Sequence, residues 1–159
     1  MSAPHAETVP DEVPDLVDAL AQLSFVILNT LTEIAGEYEL SIVQIRLLGV
    51  LRDREPTMNT LGRHLGLDKS SISGLVDRAQ RRGLVIRTPS ETDGRSFRVS
   101  ITESGRQIAE KVSTAYAERI ATLTGTWASQ DRQLLAQLAN RVIVADARRH
   151  GIDLRIAGH

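Results

Sequence analysis

The spacing of apolar residues changes once in the middle of this chain, from a helical period to a strand period. Over residues 59–82 the apolar side chains recur at intervals of three and four, as they do along one face of a helix. After Gly83 apolar and polar residues alternate, first in LVIRT (84–88) and then in SFRVSI (96–101). The centre of the chain is therefore predicted to be two short helices followed directly by a β-hairpin.

Polar residues and glycines mark the ends of the two short helices. Asn59 is predicted to cap the first helix, and Gly66 is available to end it in a left-handed conformation. Asp68 is predicted to cap the second helix, which Gly83 ends. Two short helices joined by a tight, glycine-containing turn form a helix-turn-helix unit.

Amphipathic helices are predicted on both sides of this unit. Before it, an apolar stripe covers residues 13–39, and Ser41 is expected to cap a largely apolar helix that Pro56 ends. After it, Thr102 is predicted to cap a long helix, and a break at residues 128–130 precedes a last helix. The predicted fold class is mainly α with a small β-hairpin wing: a winged helix-turn-helix core with a layer of N- and C-terminal helices.

Charge is divided unevenly along the chain. Residues 1–40 contain eight acids and no Lys or Arg, so the other 119 residues carry all 19 basic residues against 12 acids. Within residues 63–98 there are eight basic residues and four acids. A basic centre behind an acidic first helix indicates that one part of the surface faces a polyanion.

Composition and spacing exclude several other functions. The chain has no Cys, which excludes disulfides, thiolate metal sites and thiol redox sensing. Its four histidines form no H-x-x-x-H or H-E-x-x-H pair, so neither a metal nor a cofactor is expected; His64 is expected to contact a phosphate or to lie on the surface. Ser70, Ser71 and Ser73 have no placed His base, and no phosphate loop or carboxylate pair is present, so an enzyme is not predicted.

A cytoplasmic protein without a membrane partner is the default expectation. No uninterrupted apolar run approaches the roughly 18 residues of a membrane helix. The first residues are acidic and contain proline, unlike a secretory signal.

The second helix of the unit, residues 69–82, presents a polar face that suits the major groove of duplex DNA. Small side chains near its start let the backbone approach base edges, and hydroxyls read bases or phosphates. Gly74 either permits that close approach of the backbone or makes no contact with the bases. Asp77 lies on the same face as the predicted DNA contacts, which are Lys69, Ser70, Ser71, Ser73, Gly74, Arg78 and Arg81.

The hairpin, residues 84–101, is predicted to probe the minor groove. Asp93 and Gly94 form the turn that exposes Arg95, and an arginine there meets the negative potential of a narrow groove. Asp93 is also placed to hold the Arg95 guanidinium in a bidentate pair. Arg98 lies on the strand face opposite the apolar residues, so it is expected to reach the flanking phosphate backbone.

These segments resemble the MarR family of bacterial transcriptional regulators. The stretches that carry the resemblance are L-x-x-H-L-G-L-D-K-S-S-I-S-x-L-V-D-R, R-R-G-L-V-I-R and D-G-R-S-F-R-V-S-I-T-E-S-G. In that family the wing carries Asp-x-Arg followed by Leu-Thr-x-x-Gly, which opens the next helix. The corresponding residues here are Asp93, Arg95, Ile101, Thr102 and Gly105, with Ile in place of the usual Leu.

The resemblance implies a homodimer in which the N- and C-terminal helices form a shared layer. It also implies a pseudo-palindromic operator, usually bound as a repressor, with recognition helices roughly 34–36 Å apart. Many members release DNA when a small phenolic or anionic effector enters a cleft between the dimer layer and the winged helix. The sequence assigns no residues to such a ligand site.

Four segments follow from these patterns. Residues 1–12 are predicted to be a flexible acidic tail and residues 13–40 an N-terminal dimerisation helix. Residues 41–102 are predicted to be the winged helix-turn-helix DNA-binding domain, and residues 103–159 the C-terminal dimerisation helices. The outer helices carry apolar stripes too extensive for the small central core to cover, which also favours a dimer.

Two alternatives stay open at the level of sequence. A winged-helix dimer used for protein–protein interaction would need no sequence-specific DNA binding, although a protein-docking wing would more often be apolar or mixed in charge. Arg46 either meets an anionic effector or, as we favour, pairs with an acid such as Glu33 or Glu37. Tyr116 and Trp127 are expected to pack in the core or the dimer interface and not in a ligand site.

Overall fold

The computed structural model describes residues 13–90 and 97–151. The predicted tail (residues 1–12), the predicted wing-tip residues Asp93, Gly94 and Arg95, and residues 152–159 lie outside the described residues. The predicted fold class is confirmed. The described elements are α1 (Val13–Glu37), α2 (Ile42–Leu51), α3 (Met58–Leu65), α4 (Lys69–Arg81), β1 (Val85–Pro89), β2 (Phe97–Ile101), α5 (Glu103–Thr124) and α6 (Ser129–Arg149).

Helix α2 begins where the sequence predicts. Ser41 Oγ accepts a hydrogen bond from the Gln44 backbone N–H at 3.2 Å, and Gln44 Oε1 accepts one from the Ser41 N–H at 2.9 Å. This reciprocal capping box satisfies two backbone donors that the helix leaves unpaired. The helix ends at Leu51, before Pro56, and the residues between them lead into α3.

The start of α3 corrects one predicted cap. Thr57, and not Asn59, is the N-cap, and its side chain accepts a hydrogen bond from the Thr60 N–H at 3.3 Å. Pairing with the hairpin decides this, because the Val99 N–H donates to the Pro56 carbonyl at 3.0 Å and Thr57 forms a β-bridge with Arg98. Thr57 is thereby held in the extended conformation that an N-cap requires.

The remaining ends of the helix-turn-helix unit agree with the predictions. Gly66 ends α3 with φ +67°, and Gly83 follows α4 with φ +70°. A side chain at such angles is strained, so glycine serves both turns. The Asp68 carboxylate caps α4 through the Ser71 N–H at 2.7 Å.

Strands β1 and β2 form a two-stranded antiparallel sheet in the register Val85↔Ile101 to Pro89↔Phe97. Val85 and Val99 are buried and attach the base of the hairpin to the helices. Phe97, the first residue of β2, is 46% exposed because it lies at the far end of the strand pair.

One core joins α2, α3, α4 and the hairpin to parts of α1 and α5. The buried side chains are almost all aliphatic, as the low aromatic content requires. They include Ile34, Leu47, Leu48, Leu51, Leu61, Leu65, Ile72, Leu75, Val76, Val85, Val99 and Val112.

Helix α5 begins against the end of α4. Thr102 Oγ1 caps α5 through the Gly105 N–H at 3.0 Å and also donates to the Gly83 carbonyl at 2.6 Å. A Cβ added to Gly105 would lie 2.1 Å from the Leu84 carbonyl oxygen. The predicted Thr102 cap is confirmed, and the two backbones meet at a distance that only glycine permits.

Apolar side chains are exposed along the first part of α1 and along α6. Helix α1 also corrects a sequence expectation, since Asp15–Glu37 is long and apolar enough to cross a membrane by length and composition. Isolated acids interrupt the apolar run, but the segment as a whole stays apolar. Core helices of other proteins have the same composition, and Ile34 and Ala35 of α1 are buried against the winged helix. The exposed apolar residues of these helices include Leu16, Val17, Leu20, Leu23, Leu134, Leu135, Leu138, Val142 and Ile143.

Candidate nucleic-acid interface

The start of helix α4 is fixed by one carboxylate. Asp68 Oδ1 accepts hydrogen bonds from the Ser71 N–H at 2.7 Å and from Ser70 Oγ at 2.8 Å. These bonds, the backbone bond from Ser71 first, lower the pKa of Asp68 below its ordinary value. The Ser70 hydroxyl therefore donates to the cap, and its oxygen lone pairs are left for an incoming donor.

The predicted DNA contacts on α4 share one face. Ile72, Leu75 and Val76 are buried on the other face and hold the helix against the core. Ser73 and Gly74 are partly exposed. The fully exposed members of the predicted set are Lys69, Ser70, Ser71, Arg78 and Arg81.

An ion pair that sequence reasoning missed joins this helix to the wing. Arg87 of β1 lies with Nη2 2.7 Å from Asp77 Oδ1 and donates to the Ser73 carbonyl oxygen at 3.1 Å. Asp77, which the sequence suggested as a groove-facing residue, is engaged within the protein. The available signal was opposite charge on consecutive elements, but only the packing of strand on helix brings the two groups together.

The second predicted wing arginine, Arg98, lies on β2 opposite Thr88. Arg98 is exposed, and its Nη1 donates to the Glu55 carbonyl oxygen at 2.9 Å. Its guanidinium therefore lies beside the connection between α2 and α3. The predicted roles of Arg95, Asp93 and Gly94 concern residues outside the described part of the chain and stay predictions.

A groove of about 330 Å³ separates α4 from the wing. Asn59, which the sequence assigned to a cap, is exposed on α3 and lines this groove instead. It adds an amide that can donate and accept hydrogen bonds next to the hydroxyl face of α4. The lining residues are Met58, Asn59, Lys69, Ile72, Ser73, Arg87 and Phe97.

The C-terminal end of α4 contacts the end of α1. Arg82, the C-cap residue of α4, donates from Nη1 to the Glu39 carbonyl oxygen and from Nη2 to the Tyr38 carbonyl oxygen, the latter at 3.3 Å. These partners are 43 and 44 residues away in sequence. No local pattern in the sequence predicts these contacts of Arg82.

His64 is held within the winged helix. Its Nδ1 lies 3.0 Å from the Thr60 carbonyl oxygen, and its Nε2 lies 3.2 Å from Arg54 Nη1. Both ring nitrogens of His64 therefore lie within hydrogen-bond distance of a partner. The His64 ring is half-buried and is held by these two contacts.

A second cavity, of about 170 Å³, lies between α1, α2 and α5. Its wall is mainly apolar and carries polar groups from Arg52, Ser113 and Tyr116. Tyr116 packs against the core, as predicted, and also lines this cavity. The other lining residues are Leu31, Ile45, Leu48, Gly49, Ala109 and Val112.

The favoured partner of Arg46 is corrected. Glu33 and Glu37 pair with Arg119 of α5, each through a 2.9 Å contact, because α1 packs along α5. Arg46 is exposed on α2, and no ion pair to it occurs in residues 13–90 or 97–151.

Comparison with known sequences agrees with this architecture. A sequence model of the MarR family matches residues 38–96. The HTH-type transcriptional regulator PecS of Dickeya dadantii is 24% identical over 143 residues, covering 83% of this chain and 86% of PecS. The HTH-type transcriptional regulator SarZ of Staphylococcus epidermidis is 30% identical over 88 residues, covering 55% of this chain and 60% of SarZ. These relatives are regulators, and the prediction that the chain is not an enzyme is confirmed.

Solved structures share the fold. A MarR family protein from Bacillus stearothermophilus superposes with a TM-score of 0.79 at 21% identity, over 88% of this chain and 99% of that one. NadR in complex with 4-hydroxyphenylacetate superposes with a TM-score of 0.67 at 17% identity, over 89% of this chain and 97% of NadR. In its helix-turn-helix, its wing and the sequence of residues 38–96, the chain is similar to the MarR family of winged helix-turn-helix regulators.

Proposed function

We propose that this MarR-family regulator is a sequence-specific repressor that binds a pseudo-palindromic operator as a homodimer. The observation that carries the proposal is the exposed polar face of α4, which the Asp68 cap fixes at its start and the Asp77–Arg87 ion pair joins to the wing. A rigid helix and wing reduce the entropy lost on binding, which favours selective recognition.

The two parts of this surface have different roles on a duplex. Lys69, Arg78 and Arg81 are exposed cations that neutralise phosphates and so supply salt-dependent affinity. The serine hydroxyls and the backbone at Gly74 read base edges in the major groove. Arg95 enters the minor groove, and Arg98 contacts the flanking phosphate backbone with the N–H groups that Glu55 does not use.

The exposed apolar stripes of α1 and α6 support the homodimer. Each large aliphatic side chain gains about 1.5–3 kcal/mol on full burial, and eleven such residues are exposed on these two helices. A second copy of the chain covers them in the proposed dimer. The dimer sets the two recognition helices roughly 34–36 Å apart, which is one turn of B-DNA.

The cavity between α1, α2 and α5 is the proposed effector site. It lies where the layer of outer helices meets the winged helix, and its apolar wall carries the Arg52 guanidinium and the Tyr116 hydroxyl. A small phenolic or aromatic carboxylate ligand matches this chemistry, since its ring needs apolar contact and its anion needs a cation. The likeness to NadR, which is known in complex with 4-hydroxyphenylacetate, supports the same class of ligand.

Selection of bound DNA from random duplexes tests the proposal. We expect a two-fold motif with half-sites one helical turn apart, and purified protein of twice the chain mass. A variant with Lys69, Arg78 and Arg81 all replaced by Ala should lose enrichment, while Lys111→Ala, which removes an exposed cation of α5, should not. A folded dimer that enriches no sequence at low salt would refute DNA recognition and favour the protein-docking alternative.

A transcription assay then tests the sign of regulation. When the selected operator overlaps a promoter, addition of the protein should lower transcript yield in vitro. Activation in this assay would contradict the repressor role. Because the proposed target is bacterial DNA, we place the protein in the cytoplasm.

A further inference from the structure

The C-terminal end of the recognition helix is tied to α1 by one arginine side chain. Arg82 donates from its two terminal nitrogens to the carbonyl oxygens of Tyr38 and Glu39, which follow the last turn of α1. Carbonyls at the end of a helix lack intrahelical partners and carry the negative end of the helix dipole. A planar guanidinium is suited to hold two adjacent oxygens at once.

The backbone at the end of α1 is shaped to present these oxygens. Glu39 has φ +53°, and it is the one non-glycine residue with positive φ within the described ranges. The Leu40 N–H returns to the Ala35 carbonyl at 2.8 Å and closes the turn. A left-handed conformation is costly for glutamate, so surrounding contacts must stabilise it, and the Arg82 fork is one of them.

The same end of α4 is also bonded to α5. Thr102, the cap of α5, donates to the Gly83 carbonyl, one residue after Arg82. Helices α1 and α5 both line the 170 Å³ cavity. The chain directly after α4 is therefore bonded to the end of α1 through Arg82 and to the start of α5 through Gly83.

We propose that Arg82 is a positioning residue that sets the angle of the recognition helix relative to α1 and, in the dimer, the spacing of the two recognition helices. This deepens the proposed function and rests on it. Arg82 acts through the Tyr38 and Glu39 carbonyls at the end of α1 and not through DNA. Its neighbour Arg81 has no such partner in the described residues and is assigned to phosphate.

Spin labelling tests the positioning role without DNA. The chain has no cysteine, so Gln22→Cys on α1 and Gln80→Cys on α4 give a clean label pair, diluted with unlabelled protein so that distances within one chain dominate. We expect Arg82→Ala to shift or broaden the distance distribution between the labels, and Arg81→Ala to leave it unchanged. Circular dichroism establishes that both variants are folded. An unaltered distribution in folded Arg82→Ala would overturn the proposal.

Titration of the selected operator at several salt concentrations distinguishes positioning from direct contact. Arg82→Ala should weaken binding roughly 2- to 30-fold, in the range of residues that couple distant sites, with the wild-type salt slope. Arg81→Ala should lower the slope by about one unit. Arg82→Lys should restore part of the affinity, since it keeps the charge but loses the fork.

The outcomes separate the two claims. A salt slope lowered by about one unit in Arg82→Ala would assign Arg82 to phosphate and overturn its positioning role. A wild-type protein that binds no duplex would refute the proposed function, whereas the label distances would still decide whether Arg82 orients α4 on α1.

Discussion

The Arg87 guanidinium lies 2.7 Å from an Asp77 carboxylate oxygen and joins strand β1 to helix α4. Arg87 also donates a hydrogen bond to the Ser73 carbonyl oxygen, so this one side chain of β1 contacts two residues of α4. These two contacts connect β1 to α4, so we expect a change at Arg87 to alter how α4 is held.

We expect Arg87→Ala to lower the free energy of unfolding by about 1 kcal/mol, a value reduced for the partial exposure of the pair. Urea denaturation of Arg87→Ala, Asp77→Ala and the double variant measures the coupling between them, which should be about 0.5–1 kcal/mol. Strictly additive losses would contradict a working ion pair. DNA affinity should fall as well, although Arg87 is not assigned to any phosphate or base.

Asp68 should make stability depend on pH in the acid range. Its hydrogen bonds lower its pKa in the folded state from the ordinary value of 3.8, so its contribution is fully present above that value. The contribution is lost as pH falls through the lower folded pKa. Asp68→Asn keeps a cap oxygen but does not titrate, so its unfolding free energy should fall less steeply below pH 4. An Asp68 carboxyl that titrates at or above 3.8 by NMR would contradict this account.

The two candidate caps of α3 give opposite expectations. Thr57→Ala removes the observed cap and should destabilise the protein by about 1 kcal/mol. Asn59→Ala changes an exposed groove residue and should alter the free energy of unfolding by less than about 0.5 kcal/mol. Chemical denaturation of the two variants measures the difference, and the reverse order would restore Asn59 as the cap.

A charge in the exposed apolar stripe of α6 should prevent dimerisation. Leu138→Glu places a carboxylate where the proposed partner helix packs, and burial of an unpaired charge is unfavourable. Gln137→Glu adds the same charge at the adjacent exposed residue and is the matched control. Sedimentation should give a monomer for the first variant and a dimer for the second. If both variants remained dimeric, the apolar stripe of α6 would not be the interface.

A larger side chain at residue 49 is expected to occupy part of the cavity between α1, α2 and α5. A Cβ at this residue meets no atom within 4 Å, so Gly49→Ala should stabilise α2 by about 0.5–1 kcal/mol. Gly49→Leu extends into the cavity and should weaken binding of 4-hydroxyphenylacetate, used as a probe, whereas Gly49→Ala should retain more of it. Calorimetry compares the two, and equal binding would place the probe elsewhere.

Sequence reasoning succeeded where a few neighbouring residues decide the structure. The caps at Ser41, Asp68 and Thr102 depend on a backbone N–H two or three residues ahead, so a local pattern predicts them. The cap of α3 was assigned wrongly, because strand β2 holds Thr57 in an extended conformation from 40 residues away.

The predicted pairing of Arg46 with Glu33 or Glu37 was wrong for a related reason. Charge counting could place Glu33 and Glu37 on α1 but could not tell that α5 would bring Arg119 to them. The contacts of Arg82 depend equally on how the end of α1 lies against α4, which no local pattern encodes.

The lack of a side chain at Gly105 has a consequence for the evolution of this protein. Even a methyl group there would collide with the Leu84 backbone, and no rotamer change relieves a clash with a main-chain oxygen. A descendant of this chain can keep α5 packed against the Leu84 backbone only while residue 105 has no side chain. A single codon therefore constrains how α5 meets the start of the hairpin.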